Sequence, residues 1–441
     1  MTKQVRLKMK TKVSIFWFRR DLRLSDNSGL HQALNAGYPV LPIFIFDPTI
    51  LQELADPYDR RVDYIHQALS TINEQLKKRG TSLLTYYDRP QSVFASLITE
   101  FDIQEVFANR DYEPQAIRRD QEVESLLAEQ QIPLHLQKDQ VLFERHEILK
   151  SDGSPYTVFT PYANKWRAKL AQTPVSHFDS FTASGNFLPQ RNIPILSLAA
   201  IGFKKTDMSF KGPKLSPSLI QRYAKDRDYP SRQGSSGMGM PLRFGTISVR
   251  QCVAFALEHS DTWLNELIWR EFFMQILYHF PQVTTRAFKP KYDLIHWRND
   301  EQKFLLWCKG QTGYPLVDAG MRQLQQTGFM HNRVRMVAAS FLCKHLLIDW
   351  RWGEAYFAEK LNDYELASNN GNWQWAAGSG CDAAPYFRIF NPETQLKKFD
   401  GAKSYVKKWI PDYSEAHYLP PMVDHAYARQ RALSYYQAAL R

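Results

Sequence analysis

The sequence predicts an α/β domain built on a parallel sheet, then a long linker, then a mostly helical domain. Three observations carry this prediction. Short apolar runs rich in β-branched and aromatic residues alternate with helical periods over the first 140 residues. Proline and polar residues then break every period between about 140 and 210, and after about 215 helical patterns dominate to the end. At 441 residues the chain is also too long for one ordinary core.

The elements follow in order. Residues 1–12, MTKQVRLKMKTK, read as a basic tail, because the apolar run after them is interrupted too soon for a signal peptide. Residues 13–140 form the α/β domain. Its strands are VSIFWF (13–18), VLPIFIF (40–46), LLTYY (83–87) and EVFANR (105–110). Between the second and third lies a helical period over 60–79, closed by Gly80. A sheet of this kind binds ligands beyond the carboxyl ends of its strands, and Asn109, Asp111 and Glu113 are polar candidates there. No GxGxxG follows the first strand, so a dinucleotide fingerprint is absent. Residues 141–212 form the linker, with an aromatic-rich stretch at 154–166. Residues 213–441 form the helical domain, with helices expected at 248–259, 262–279, 315–327, 333–349 and 353–361.

Composition narrows the function classes. Hydrophobic residues make up 44% and aromatic residues 14%, which fits a packed globule and not a disordered chain. No apolar run approaches the roughly 20 residues that cross a bilayer, so no membrane partner is expected. The four cysteines are scattered without a metal-ligand pattern, which fits free thiols in a reducing cytoplasm and no metal site. A net charge of +11 points to a polyanionic partner, and 11 Trp with 22 Tyr offer faces on which bases stack.

Three stretches carry candidate chemistry. In TWLNELIWREFFMQILYH (262–279), Glu266, Trp269, Arg270 and Phe273 fall at i, i+3, i+4 and i+7, on one helix face. Two readings stay open for that face. It is either a Glu266–Arg270 ion pair over a buried indole, or a cavity wall where Trp269 stacks on a planar substrate and Glu266 bonds its polar edge. In 312–350, Arg333 and Arg335 are two apart and so point to different sides of a helix, while His331 and Asn332 stand at its start. No catalytic role is assigned to His331. In 361–391, Asn369, Asn370 and Gly371 precede Trp373 and Trp375, which suits a flat aromatic ligand.

Several motifs then coincide. TGYPLVDAGM (312–321), NRVRMVAASFLCKHLLIDW (332–350), WLNELIWREF (263–272), NNGNWQW (369–375) and APYFRIFNP (384–392) resemble the DNA photolyase/cryptochrome family. Within it they are most similar to the class I cyclobutane pyrimidine dimer photolyases. IFWFRRDLRLSDN (15–27) is similar to the family's opening and GSPYTVFTPYANKW (153–166) to its linker. The resemblance implies a Rossmann-like antenna domain, a helical FAD-binding domain, and light-driven repair of dimers in DNA by electron transfer from excited reduced FAD. It also allows a second, antenna chromophore in the first domain, with a folate, a deazaflavin, a flavin or none all left open. A monomer is expected.

Residue roles carry over by position. Tyr223 and the loop Ser235, Ser236, Gly237, Met238 and Gly239 match the segment that cradles the flavin phosphates. Asn332, Arg335, Asp363, Tyr364, Glu365 and Asn369 match flavin neighbours, with Asn369 at the flavin N5 edge. Trp373, Trp350 and Trp297 match the electron-hopping chain. Glu266, Trp269, Arg270, Asn332, Met336 and Trp375 match the dimer pocket, with Glu266 as the catalytic hydrogen-bonding carboxylate. Arg227, Arg333, Arg388 and Gln395 match DNA contacts. The (6-4) branch has histidines where Asn332 and Met336 stand, so the resemblance favours cyclobutane dimers. The chain departs from the pattern at Gly237 and Gly239, where relatives carry hydroxyls, and at Phe329, Tyr364 and Glu365. The resemblance leaves two rivals: a cryptochrome-like blue-light receptor without repair activity, and a flavin oxidoreductase.

Overall fold

The computed structural model describes residues 10–180, 186–190 and 192–441. Most of the basic tail therefore lies outside the described residues. The chain forms two compact units, each built from separate segments. One runs to Glu144 and takes in Val175–Lys214 and Phe244–Cys252; the other comprises Arg145–Pro174, Leu215–Arg243 and Val253–Arg441. The stretch read as a linker thus divides between them.

The first unit is a five-stranded, wholly parallel sheet in the order β3-β2-β1-β4-β5. The strands are β1 (Lys12–Phe18), β2 (Val40–Phe46), β3 (Leu84–Tyr87), β4 (Asp102–Asn109) and β5 (Leu134–Gln137). Helices α1 (Ser28–Asn35), α2 (Arg60–Lys77), α3 (Pro90–Glu100) and α4 (Pro114–Ala128) connect them. Every residue of β2 is buried, and β1 is buried from Val13 to Phe18. Burial on both faces explains why these strands read as continuous apolar runs rather than alternating ones. The fifth strand, LHLQ, escapes that signal because it is a half-buried edge with only two apolar residues.

Beyond the carboxyl ends of β1 and β4 lies a buried polar network. Asn109 accepts from the Gly29 amide and donates to Asp21 and Asn27. Burial raises the Asp21 carboxyl, with the Asp139 charge adding to the effect. Asp111 and Glu113 both engage Arg20, at 3.3 and 2.8 Å. The three polar candidates at this sheet end are therefore tied into the unit's own framework.

The second unit is helical. The helices that build its site are α5 (Phe159–Gln172), α6 (Asp261–His279), α7 (Pro315–Thr327), α8 (Asn332–Ser340), α9 (Trp350–Lys360), α10 (Leu366–Ala377) and α11 (His425–Leu440). α5 falls inside the stretch read as irregular. Its Pro161 sits in the first turn, where proline is tolerated, and Phe159, Tyr162, Ala163 and Trp166 form a buried stripe. That stripe packs on α6, where the Trp166 indole donates to Glu271 Oε1 at 2.7 Å.

The single helix expected over 333–349 is also broken. α8 ends at Ser340, a wider π turn covers Phe341–Leu346, and Leu347 is left-handed at φ 53°. Within that turn the buried Lys344 ammonium reaches the carbonyls of Ala377 and Tyr386, at 3.0 and 3.1 Å. The π turn thereby caps the carboxyl end of α10 from outside. Gly353 lets α9 and α10 approach closely, since a Cβ there would lie 2.1 Å from the Trp373 indole.

Candidate functional site

Helical periodicity builds one cleft. Asn332, Arg335 and Met336 fall at i, i+3 and i+4 along α8, and Asn369, Trp373 and Ala376 at i, i+4 and i+7 along α10. The two rows face a common cleft whose floor is Asp363, Tyr364 and Glu365, with Trp375 also on its wall. Its empty volume is about 590 Å³, including space open to solvent. Eight of the residues expected around the flavin or the dimer thus meet in one place, Asn332, Arg335, Met336, Asp363, Tyr364, Glu365, Asn369 and Trp375, together with Trp373 of the expected electron-hopping chain.

The polar groups of the cleft are fixed by identifiable partners. Arg335 forks onto Asp363 at 2.9 and 3.1 Å, while its Nε donates to the Met330 carbonyl at 2.7 Å. The Asn369 amide nitrogen donates to the Glu354 carbonyl and to Glu354 Oε1, at 3.1 and 2.8 Å. With both N–H groups committed, the oxygen is the group this amide has left to offer a ligand donor. Burial raises the Glu354 carboxyl above its ordinary range, against the lowering effect of the Asn369 bond. Glu354 was not among the residues singled out from the sequence, because it sits in an unremarkable helical stretch.

The 234–239 loop meets this cleft at its acidic floor. Gly239 lies so close to Asp363 that a Cβ would come within 2.9 Å of Oδ2. Gly237 is left-handed at φ 68°, and the Ser236 hydroxyl accepts from the Met238 amide at 3.3 Å. Ser235, Gly237 and Gly239 are exposed. Small residues and free backbone beside an Arg–Asp pair suit a phosphate-bearing ligand.

A second cluster gathers on α6, outside the cleft's lining. Glu266 and Arg270 do not pair with each other. Arg227 donates to Glu266 at 2.6 Å, and Arg270 reaches Glu365 at 3.2 Å. The Arg270–Glu365 bond ties this cluster to the cleft floor. Tyr223 lies under the Arg227 guanidinium at 5.4 Å, and burial, then the Glu266 charge, pushes its phenol up to about 12. Trp269 carries the Phe159 ring flat on one face, at 3.6 Å and 4°. Such a pair contributes about 0.5–1.5 kcal/mol beyond its buried area. Phe159 was read only as part of an aromatic-rich stretch.

The remaining candidates are more dispersed. Arg333 bonds Asp228 at 2.7 Å and lies over the Phe399 ring at 4.4 Å, and Arg388 is exposed. Gln395 is half-buried. Trp373 and Trp350 are buried in one cluster, with Trp297 packed against it. The indole touching Trp373 is Trp307, at 6.2 Å, and Trp297 meets Tyr436 edge-on at 6.0 Å. His331 caps α8 by accepting from the Arg333 amide at 3.2 Å. Burial, with Arg335 and Arg333 nearby, pushes its imidazole down to about 4, so it is a neutral acceptor at physiological pH.

Comparison with known proteins decides the family. The model for the FAD binding domain of DNA photolyase matches residues 263–417, and the DNA photolyase model matches residues 14–179. A deoxyribodipyrimidine photo-lyase of Synechococcus sp. is 37% identical over 433 residues, covering 91% of this chain and 88% of that protein. The chain belongs to the DNA photolyase family. The deoxyribodipyrimidine photo-lyase of Escherichia coli is 34% identical, over 96% of this chain and 98% of that one. Among solved structures, a class III photolyase from Agrobacterium tumefaciens matches with a TM-score of 0.85 at 33% identity, covering 99% of both chains. An archaeal photolyase from Sulfolobus tokodaii, described with two FAD molecules, matches at 0.83 and 31%, covering 97% of this chain and all of that one. A Synechocystis cryptochrome matches at 0.85 and 26%, over 97% of this chain and all of that one. Membership in the photolyase family accounts for the α/β unit, the helical unit and the FAD-binding domain.

Proposed function

We propose that this photolyase-family protein reverses cyclobutane pyrimidine dimers in DNA under near-UV or blue light, with reduced FAD as its bound cofactor. The observation that supports it best is the cleft itself. Asn369, whose amide nitrogen is committed to Glu354, lines it beside Trp373, and Asn332 and Met336 line it from α8. Gly239, Asp363 and Arg335 give room and donors for the cofactor's polar parts, so the residues present fit FAD.

When bound, reduced FAD supplies light absorption and a transferable electron. The chain's own residues do the rest. Asn369 would offer its amide oxygen to the flavin N5–H edge when the cofactor is bound. Glu266, charge-paired to Arg227, presents a carboxyl to the polar edge of the lesion. Trp269 and Trp375 offer stacking faces to a dimer that has left the helix, a displacement made easier because a dimer already stacks poorly. Trp373, Trp350 and Trp297 would be the side chains able to relay electrons toward the cofactor when it is bound. Tyr223, Tyr364, Glu365 and the 235–239 loop border the cofactor, and Arg227, Arg333, Arg388 and Gln395 face the DNA backbone. A second chromophore, folate, deazaflavin or flavin, would serve as antenna, and the protein acts as a cytoplasmic monomer. Free cysteines and the lack, among the described residues, of any helix able to cross a membrane agree with this setting.

The test is illumination of the purified, reduced protein with DNA carrying thymine dimers. Dimers should disappear in light and persist in darkness; their persistence in light, with FAD bound and reduced, refutes the repair reading. Glu266→Ala should slow repair about tenfold or more and spare photoreduction of the flavin. Equal loss of both means the carboxylate acts elsewhere. The likeness to the Synechocystis cryptochrome favours one alternative, a blue-light receptor, in which flavin photoreduction occurs without dimer loss.

A further inference from the structure

We propose that Phe159 is a positioning residue for lesion recognition, holding Trp269 in the orientation that receives a base. The inference rests on the repair reading above. Phe159 opens α5, whereas Trp269 lies in the middle of α6, 110 residues later in the chain. Their rings are nonetheless nearly coplanar at 4° and 3.6 Å apart. Phe159 is buried at 7% exposure while Trp269 is half-buried. Phe159 thus closes one indole face, Phe272 and Phe273 pack on the same indole at 5.6 and 5.4 Å, and the half-buried ring keeps part of its surface exposed for a base.

Phe159 is itself held from two directions. Its ring meets Phe272 edge-on at 5.7 Å and 78°, and its backbone N–H donates to Asp382 Oδ2 at 3.0 Å. That carboxylate satisfies one of the amides left free at the start of α5, so it acts as a cap supplied from another part of the chain. Asp382 belongs to the segment that also presents the exposed Phe387 and Arg388. The stack is therefore anchored to the same segment that carries an expected DNA contact. An indole without its Phe159 backing would lose an aromatic partner and gain rotameric freedom, and each base it stacked would have to restore that order.

The experiment uses full-length, FAD-loaded protein and labelled DNA with or without one thymine dimer, read by fluorescence anisotropy. Phe159→Leu keeps a branched apolar side chain, somewhat smaller, and removes the ring. It should lower the ratio of dimer to undamaged affinity about three- to tenfold, with undamaged affinity and the flavin spectrum unchanged. Phe159→Tyr should restore the ratio to within about twofold. Asp382→Ala should move it the same way by less, and Asp382→Asn, which keeps an acceptor, should not. An unchanged ratio in Phe159→Leu overturns the inference. So does a parallel loss of undamaged binding or of flavin, since that marks a role in folding alone. A wild-type protein with no preference for the dimer brings down the repair reading and this inference together. Wild-type preference with an unchanged variant brings down only the latter.

Discussion

Asn369 and His331 show how far a single polar side chain is set by its neighbours. The Asn369 oxygen is free for a ligand because Glu354 takes both amide hydrogens. Replacing Glu354 by Leu removes the Oε1 acceptor and keeps the backbone carbonyl, so the amide should be held more loosely and the reduced cofactor should then reoxidise faster in air. Unchanged reoxidation would show the amide is held by something else. His331 gives a pH prediction whose sign follows from burial. The unfolded imidazole takes up a proton near pH 6.5 and the folded one only near 4, so the unfolded state binds more protons in between. Stability should therefore fall as pH drops from about 6.5 to 4, by roughly 2–3 kcal/mol from this group. His331→Asn keeps a capping acceptor without that titration. Denaturant midpoints at pH 7 and pH 4.5 should converge in the variant; an undiminished gap would show that another group titrates.

Helices and strands were mostly readable because their periods were strong. β1, β2 and α6 announce themselves through apolar runs and spacing, and the rows that line the cleft follow directly from a period of 3.6. Three features were not readable. β5 is an edge with little apolar content, α5 hides behind a proline in its first turn, and the π turn after Ser340 depends on contacts made by Lys344 with residues distant in sequence. The pairing of Glu266 with Arg227 was equally hidden, since i and i+4 spacing offered Arg270 instead. No periodicity announces a partner 39 residues away. At the α9–α10 contact, Gly353→Ala should force the Trp373 indole aside, because the added Cβ has 2.1 Å where ordinary contact needs about 4 Å. A loss of about 1–3 kcal/mol and slower flavin photoreduction are expected. Wild-type stability would mean the two helices separate freely.

For the whole molecule, charge and chemistry point the same way. A net charge of +11 over 441 residues favours a polyanionic partner, in agreement with the proposed action on DNA. If about five phosphates are neutralised, raising salt from 50 to 200 mM should weaken DNA binding roughly 10²–10³-fold. In the proposed reading, dimer-bearing and undamaged DNA should lose affinity in parallel, because stacking of the lesion and not charge carries the difference between them. The family's motifs made the cleft legible from sequence before its geometry was known. The orientation of its amide and the backing of Trp269 were not, since both depend on side chains brought together only by folding. The most direct test of the central claim is the wavelength dependence of dimer loss by the purified protein. The account predicts a profile that follows the absorption of reduced flavin, together with any antenna pigment released from the same sample. Dimer loss that proceeds equally in darkness, or at wavelengths where the bound chromophores do not absorb, would contradict it.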